Sequence, residues 1–303
     1  MNVLVAGGTG FIGRHLAAEL TDRGHSVTAL SRDPDPGVVP AEVKTRAGDL
    51  TSVDELPEAV AGHDAVVHLV SLSPLYQPRG GETRHEDIIV GGTRNLVRAM
   101  ERAGVDRLVY QSGLGADPDG TTHYIRAKGR AEGIVRSSDL DWTITRPSVV
   151  FGDGAEFLTF PKLVTTPYLT FLPGGGHTRF QPIWIGDLVP IVAEIVGSEQ
   201  HVGEHYEFGG PEILTLADVT RAIYHAEGRP CRILPIPMPV ARVAMTVAGP
   251  LPLIPFGADQ YRSLKFDNVP NRNDVERFDR DPAELTTLDS YLVGDLTARE
   301  ALG

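Results

Sequence analysis

Near the amino terminus an apolar run, Val3-Leu4-Val5, breaks at Gly7-Gly8-Thr9-Gly10-Phe11-Ile12-Gly13 and gives way to a helical pattern from Arg14 to Arg23. Glycines 7, 10 and 13 are spaced three apart at a strand-to-helix turn, where a parallel sheet receives the pyrophosphate of a dinucleotide. A glycine at the strand end permits a turn that a Cβ would block. One at the helix start lets main-chain N–H groups approach an anion, and the helix dipole adds positive potential there. The apolar face Ile12, Leu16 and Leu20, stopped by Gly24, marks the segment as a true helix. Gly7, Thr9, Gly10, Phe11, Ile12 and Gly13 are therefore the candidate phosphate cradle.

Strand patterns at 27–30, 43–47, 65–69, 107–111 and 142–146 alternate with helical ones at 53–61, 86–103 and 124–137. Ser52 and Glu55 are spaced as a capping box for the first of these helices. Gly91-Gly92 falls inside the second and weakens its continuity. Alternating apolar strands and helices imply an α/β, doubly wound parallel sheet covered on both faces. After Val150 glycine and proline become frequent and the alternation ends. Residues 1–150 are read as a dinucleotide-binding Rossmann domain, and 151–303 as a smaller substrate lobe interleaved with the last strands of the sheet. Within the lobe, 180–185 reads as a strand, 187–196 as a helix capped by Asp187, and 215–226 as a helix started by Thr215 and Asp218. The stretch 233–253 is apolar and proline-rich, 268–284 is charged, and a short helix is expected near 288–292.

Composition narrows the partners. A net charge of −12 over 303 residues disfavours nucleic acid or an anionic membrane as the main partner. One cysteine, Cys231, excludes an internal disulfide and a cysteine metal cluster and points to a reducing, cytoplasmic setting. Met1 leads straight into the first strand, so no signal peptide is expected, and no apolar run is long enough to span a bilayer. No metal is expected: His201 and His205 lie four apart, but no third ligand accompanies them. The apolar stretch at 233–253 reads as lobe packing, as a pocket for an apolar small-molecule substrate, or as a partner surface. The helices 86–103 and 124–137 offer a face for a twofold pair, so monomer and homodimer both stay open.

Tyr124 and Lys128 sit four apart on one helical face, and Ser112 follows the strand 107–111. Ligands of doubly wound sheets lie outside the carboxyl ends of the strands, which is where Ser112 falls. An ammonium and an oxidised nicotinamide both favour a nearby phenolate. Tyr124 is thus a candidate acid/base, Lys128 a ribose holder that lowers the tyrosine pKa, and Ser112 a donor to the substrate oxygen. His123 is placed either against substrate or as a helix cap. At the end of the second strand the position an NAD site fills with an acid holds Ser31, followed by Arg32, which suits a 2′-phosphate. NADP(H) is favoured over NAD(H), with Asp33 as the competing ribose ligand.

Gly7-x-x-Gly10-x-x-Gly13, Asp49-Leu50, Ser112, Tyr124-x-x-x-Lys128 and Arg146-Pro147-Ser148-Val149-Val150-Phe151-Gly152 resemble the short-chain dehydrogenase/reductase superfamily in its extended or atypical, epimerase/dehydratase-like branch. Residues 181–188 resemble another motif of that branch. Ser112-Gly113-Leu114-Gly115-Ala116-Asp117 is similar to proteins resembling the nucleotide-binding accessory subunit of respiratory complex I. The resemblance implies that Asp49 and Leu50 contact adenine, that Val70 lines the cofactor, and that Pro147 lies beside the nicotinamide. It implies an NAD(P)H-dependent oxidoreductase acting on a carbonyl, alcohol or activated double bond. It also leaves open a cofactor-binding subunit of a larger complex without turnover, a sugar-nucleotide epimerase or dehydratase, and a redox-sensing regulator. The short separation of Ser112 from Tyr124 departs from the sugar-nucleotide enzymes, which have a much longer loop there.

Overall fold

The computed structural model describes residues 1–76, 78, 80–248 and 258–294. In the first half, strands β1 (Asn2–Ala6), β2 (Ser26–Ser31), β3 (Lys44–Ala47), β4 (Ala65–His68), β5 (Arg107–Gln111) and β6 (Asp141–Pro147) alternate with helices α1 (Phe11–Asp22), α2 (Leu56–Val60), α3 (Gly81–His85), α4 (Gly92–Ala103) and α5 (His123–Arg136). Shorter elements follow: β7 (Val150–Phe151), α6 (Glu156–Val164), β8 (Tyr168–Pro173), β9 (Arg179–Phe180), β10 (Ile183–Trp184), α7 (Ile185–Gly197) and β11 (His205–Phe208). Then come β12 (Leu214–Thr215), α8 (Leu216–Ala226), β13 (Cys231–Ile236), α9 (Met238–Ala248) and α10 (Ala258–Ser263).

The central sheet has seven strands in the order β11-β6-β5-β4-β1-β2-β3, and the pairs from β1 to β6 are parallel. This is the doubly wound parallel sheet expected. Its strands are buried on both faces, with Val3, Leu4, Val5, Val66, Val67, Leu108 and Val109 fully enclosed. The order reverses at β1, between β2 and β4, which sets the glycine turn at the topological switch point.

Contacts divide the chain into two compact units. The first holds 1–72, 78–146 and 188–206, with a core that includes Leu30, Leu56, Ile89, Leu96, Met100 and Ile144. The second holds the described residues within 73–77, 147–187 and 207–303, with a core of Phe151, Phe157, Val219, Ile223 and Leu288.

Several local expectations are corrected. The helix expected at 86–103 begins earlier: α3 passes through a π-helical segment, Glu86–Gly91, into α4, so the run continues across Gly91-Gly92. Gly92 serves packing, since a Cβ there would lie 3.2 Å from the Leu50 Cβ. The helix expected at 53–61 shortens to α2, whose cap residue is Glu55 with no side-chain cap bond, while the Ser52 N–H closes a turn onto the Asp49 carbonyl. The strand expected at 180–185 is two strands split by Gln181-Pro182, because a proline has no N–H to donate. Asp187 is not the cap of α7 but lies within its first turn, where its carboxylate accepts the Thr286 N–H at 2.8 Å. Thr215 and Asp218 do form a capping box on α8. The stretch from 233 becomes most of β13 and α9, with 249–253 outside the described residues. The last helix occupies 288–294.

Candidate active site

The glycine turn is built as a phosphate cradle needs. Gly7 adopts φ +86°, a left-handed conformation, and its N–H donates to the Leu30 carbonyl at 2.8 Å, holding the turn to β2. At Gly13 a Cβ would lie 2.1 Å from the Gly7 carbonyl oxygen, so only glycine lets α1 sit this close to the turn. Gly10 caps α1 with no side-chain bond, and the first helical turn carries no acidic residue. The leading N–H groups are therefore left for an anion. Thr9 donates through its hydroxyl to the Ser31 hydroxyl at 2.9 Å, tying the turn to the end of β2. Phe11 and Ile12 open α1, and Val70 packs against Gly7 at the end of β4.

Asp49 and Leu50 follow β3. Leu50 is buried, and its carbonyl accepts from the Asn95 amide at 2.9 Å. Asp49 accepts from the N–H and hydroxyl of Thr51, each at 2.9 Å. Burial pushes its carboxyl up, but the bonds from Thr51 and the charges of Arg32 and Arg84 outweigh this and leave it below the ordinary value. Arg32 and Asp33 are exposed, and neither Arg32 nor Arg84 makes an ion pair among the described residues. Arg84 also lines a cavity of about 430 Å³ with Thr51, Glu86, Asp87, Val90, Gly91, Arg94 and Asn95.

Ser112 is 3% exposed at the carboxyl end of β5. Its N–H donates to the Thr145 carbonyl at 2.7 Å, but its Oγ has no hydrogen-bond partner among the described residues. Thr122 caps α5, accepting the Ile125 N–H at 3.2 Å, and so presents Tyr124 and Lys128 one turn apart. A Cβ at Gly113, beside Ser112, would lie 3.1 Å from the Tyr124 hydroxyl, so this glycine leaves the phenol its room. Ser112, Tyr124 and Lys128 thus share the end of β5. Burial pushes the Tyr124 phenol up to about 12, opposed by a hydrogen bond with Ser71. Burial pulls the Lys128 amine down to about 7, against the Glu132 carboxylate. Lys128 Nζ donates to the Gln111 carbonyl at 2.8 Å and lies 5.9 Å from the Tyr124 ring centre. In this arrangement burial, not the ammonium, governs the phenol.

Pro147 ends β6 and opens the second unit. His123 is the first residue of α5, not its cap, with Nε2 3.6 Å from Glu82. His201 is bonded to the Tyr206 hydroxyl at 2.8 Å, and no metal-holding group occurs among the described residues. Sequence reading missed His68, Tyr110 and the Glu132–Arg146 pair around Lys128. Glu132 was open to detection, four residues beyond Lys128 on the same helix. His68 and Tyr110 were not, because only strand register brings them together.

Residues 7–157 match a family model described as NAD(P)H-binding. The chain is 39% identical over 261 residues to a 3-beta-hydroxysteroid dehydrogenase of Mycolicibacterium neoaurum, covering 75% of this chain and 70% of that one. It is 28% identical over 299 residues to the mitochondrial NADH dehydrogenase [ubiquinone] 1 alpha subcomplex subunit 9 of Arabidopsis thaliana, covering 91% of this chain and 73% of that one. Among solved structures, MoeE5 in complex with UDP-glucose and NAD superposes with a TM-score of 0.71 at 20% identity, covering all of both chains. At that identity the likeness is one of fold.

Proposed function

Because the chain belongs to the extended branch of the short-chain dehydrogenase/reductase superfamily, we propose that it is an NADP(H)-dependent oxidoreductase acting on a carbonyl, an alcohol or an activated double bond. The observation that carries this reading is the convergence of three groups at the end of β5: the unpartnered Ser112 Oγ, the Tyr124 hydroxyl and the buried Lys128 amine. When bound, the nicotinamide supplies or accepts the hydride. The residues of the chain do the rest. Gly7, Thr9, Gly10, Phe11, Ile12 and Gly13 hold the pyrophosphate; Asp49, Leu50 and Val70 border the adenine side, and Pro147 the nicotinamide. Ser112 directs its free Oγ to the substrate oxygen. Tyr124, protonated at neutral pH, gives its proton to that oxygen as a carbonyl is reduced and recovers it in the reverse sense. Lys128 positions the ribose and supports the transient phenolate.

NADP(H) is preferred in this reading because β2 ends in Ser31, followed by Arg32, instead of an acid, and because Arg84 joins Arg32 beside Asp49. The name of the Mycolicibacterium relative suggests a hydroxysteroid or another apolar alcohol as the first substrates to try. The single cysteine keeps a cytoplasmic setting within the same proposal. Tyr124→Phe should abolish turnover of any substrate so found while NADPH still binds; unchanged turnover would sink the mechanism.

A second reading is favoured by the similarity to the Arabidopsis complex I subunit over 91% of the chain. In it the protein holds NADP(H) without turning it over. Stoichiometric NADPH that no carbonyl or activated double bond oxidises, on a protein that purifies within a larger assembly, would establish it. The sugar-nucleotide reading has weaker support, since it rests on likeness of fold and meets a short Ser112–Tyr124 separation.

A further inference from the structure

Lys128 is held by more than the groups assigned so far. Its Nζ lies 5.1 Å from the ring centre of Tyr110, closer than to the ring of Tyr124, while donating to the carbonyl of Gln111 at 2.8 Å. Two successive residues of β5 therefore meet one ammonium, residue 110 with its ring and residue 111 with its backbone. Tyr110 is fully buried and cannot turn away. Its ring packs at 5.2 Å on His68, its register neighbour on β4, and the His68 Nε2 is fixed by the Thr93 hydroxyl at 3.0 Å.

The physical need for such a seat is plain. An ammonium has three N–H donors and, at 2% exposure, almost no water to accept them. The Gln111 carbonyl satisfies one. The face of a phenol ring, negative by its quadrupole, stabilises the remaining charge without demanding a proton of its own. The other groups facing the ammonium are Tyr124 and Glu132 from α5 and His68 from β4. Burial first, then the Lys128 charge, lowers the His68 ring to about 3, so it stays neutral and does not repel the amine.

We propose that Tyr110 is a positioning residue, whose ring face seats the Lys128 ammonium and aims it at the carboxyl ends of β4 and β5. Its functional meaning rests on the reading of Lys128 given above; the contact itself does not. In role, the fully buried Tyr110 acts through Lys128.

The chain has four lysines, at 44, 128, 162 and 265, so a protein labelled with [13Cε]lysine yields few signals, and Lys128→Met assigns the one that matters. In the wild-type protein the Lys128 Hε protons should be shifted upfield and show a nuclear Overhauser effect to the Tyr110 ring. Tyr110→Phe, which keeps the ring, should preserve both. Tyr110→Leu should remove both and lower the pH midpoint of the Lys128 signal by about one pH unit. A wild-type spectrum with neither signature, or a Tyr110→Leu midpoint equal to wild type, would overturn the proposal. If Tyr110→Leu does not fold, the wild-type and Tyr110→Phe spectra still decide. No nucleotide or substrate is added, so this contact and the proposed chemistry fail independently.

Discussion

Arg146 grips the Glu132 carboxylate with two hydrogen bonds, Nε to Oε1 at 2.8 Å and a terminal nitrogen to Oε2 at 2.6 Å. The pair joins β6 to α5 one helical turn beyond Lys128. Glu132 is 4% exposed in its side chain and Arg146 18%, so little water competes for either charge. Arg136 adds a weaker contact to the same carboxylate at 3.5 Å.

Removing Glu132 alone should therefore be costly. Glu132→Ala leaves the Arg146 guanidinium without its carboxylate in a mostly dry site, and breaking such a pair from one side typically costs about 3–5 kcal/mol. Urea unfolding should show a loss of about 3 kcal/mol, with a smaller loss for Glu132→Gln, which keeps one acceptor. A change within about 0.5 kcal/mol for Glu132→Ala would mean the pair is a bystander.

Gly13→Ala tests the cradle. The added methyl would meet the Gly7 carbonyl oxygen at 2.1 Å, and that contact is backbone, which cannot rotate aside. Relief requires α1 to move off the turn, at about 1–3 kcal/mol of stability by the usual cost of overpacking. Because the same movement spoils the aim of the leading N–H groups, calorimetry should show dinucleotide affinity falling at least tenfold. Full affinity in a normally stable variant would place the phosphates elsewhere.

The contrast between what the residues announced and what they hid has a physical pattern. Val3 to Val5, Ala65 to Val67 and Leu108 to Tyr110 were legible as strands because a sheet covered on both faces demands continuous apolar runs. The glycine turn and the spacing of Tyr124 and Lys128 on one helix were legible because each is a local pattern along the chain. The joining of α3 to α4 was not: Gly91-Gly92 should weaken a helix, yet packing of Gly92 on Leu50 overrides propensity. The capping box at Ser52 failed because Ser52 is already engaged in the turn after Asp49. His68 beside Tyr110 depends on the register of β4 on β5, a long-range fact that no short stretch encodes.

Stability should rise with pH across two windows. The Lys128 amine has an ordinary value of 10.5 and a folded one of about 7. Between these limits the unfolded chain binds a proton that the folded one does not, so the unfolding free energy climbs with pH, by at most about 1.4 kcal/mol per pH unit. The penalty is fully present below 7 and relieved toward 10.5. His68, at about 3 folded against 6.5, acts in the same sense at acid pH: its contribution is intact above 6.5 and lost as pH falls toward 3. Urea unfolding of wild type and Lys128→Met at pH 7 and pH 9 should show wild type gaining about 2 kcal/mol on the variant. Parallel profiles would mean that Lys128 titrates as an ordinary surface lysine.

Cofactor choice is the sharpest remaining test. Arg32 and Arg84 both act on the Asp49 carboxylate from beside the end of β2 and the start of the α3 run, and neither is committed to an ion pair among the described residues. A 2′-phosphate brings a charge of about −2 to that region, which two uncommitted guanidiniums are suited to receive by charge-assisted hydrogen bonds. A 2′-hydroxyl offers them nothing comparable. Each such bond contributes about 1.5–3 kcal/mol, so Arg32→Ala should weaken NADPH roughly 10- to 100-fold and change NADH by less than about threefold. Arg84→Ala should act in the same direction and less strongly, because Arg32 directly follows the strand end where the ribose is expected. Isothermal titration with both nucleotides on both variants separates the outcomes. Equal losses for NADPH and NADH would assign the arginines to adenine, and a wild type that prefers NADH would hand the ribose to Asp33.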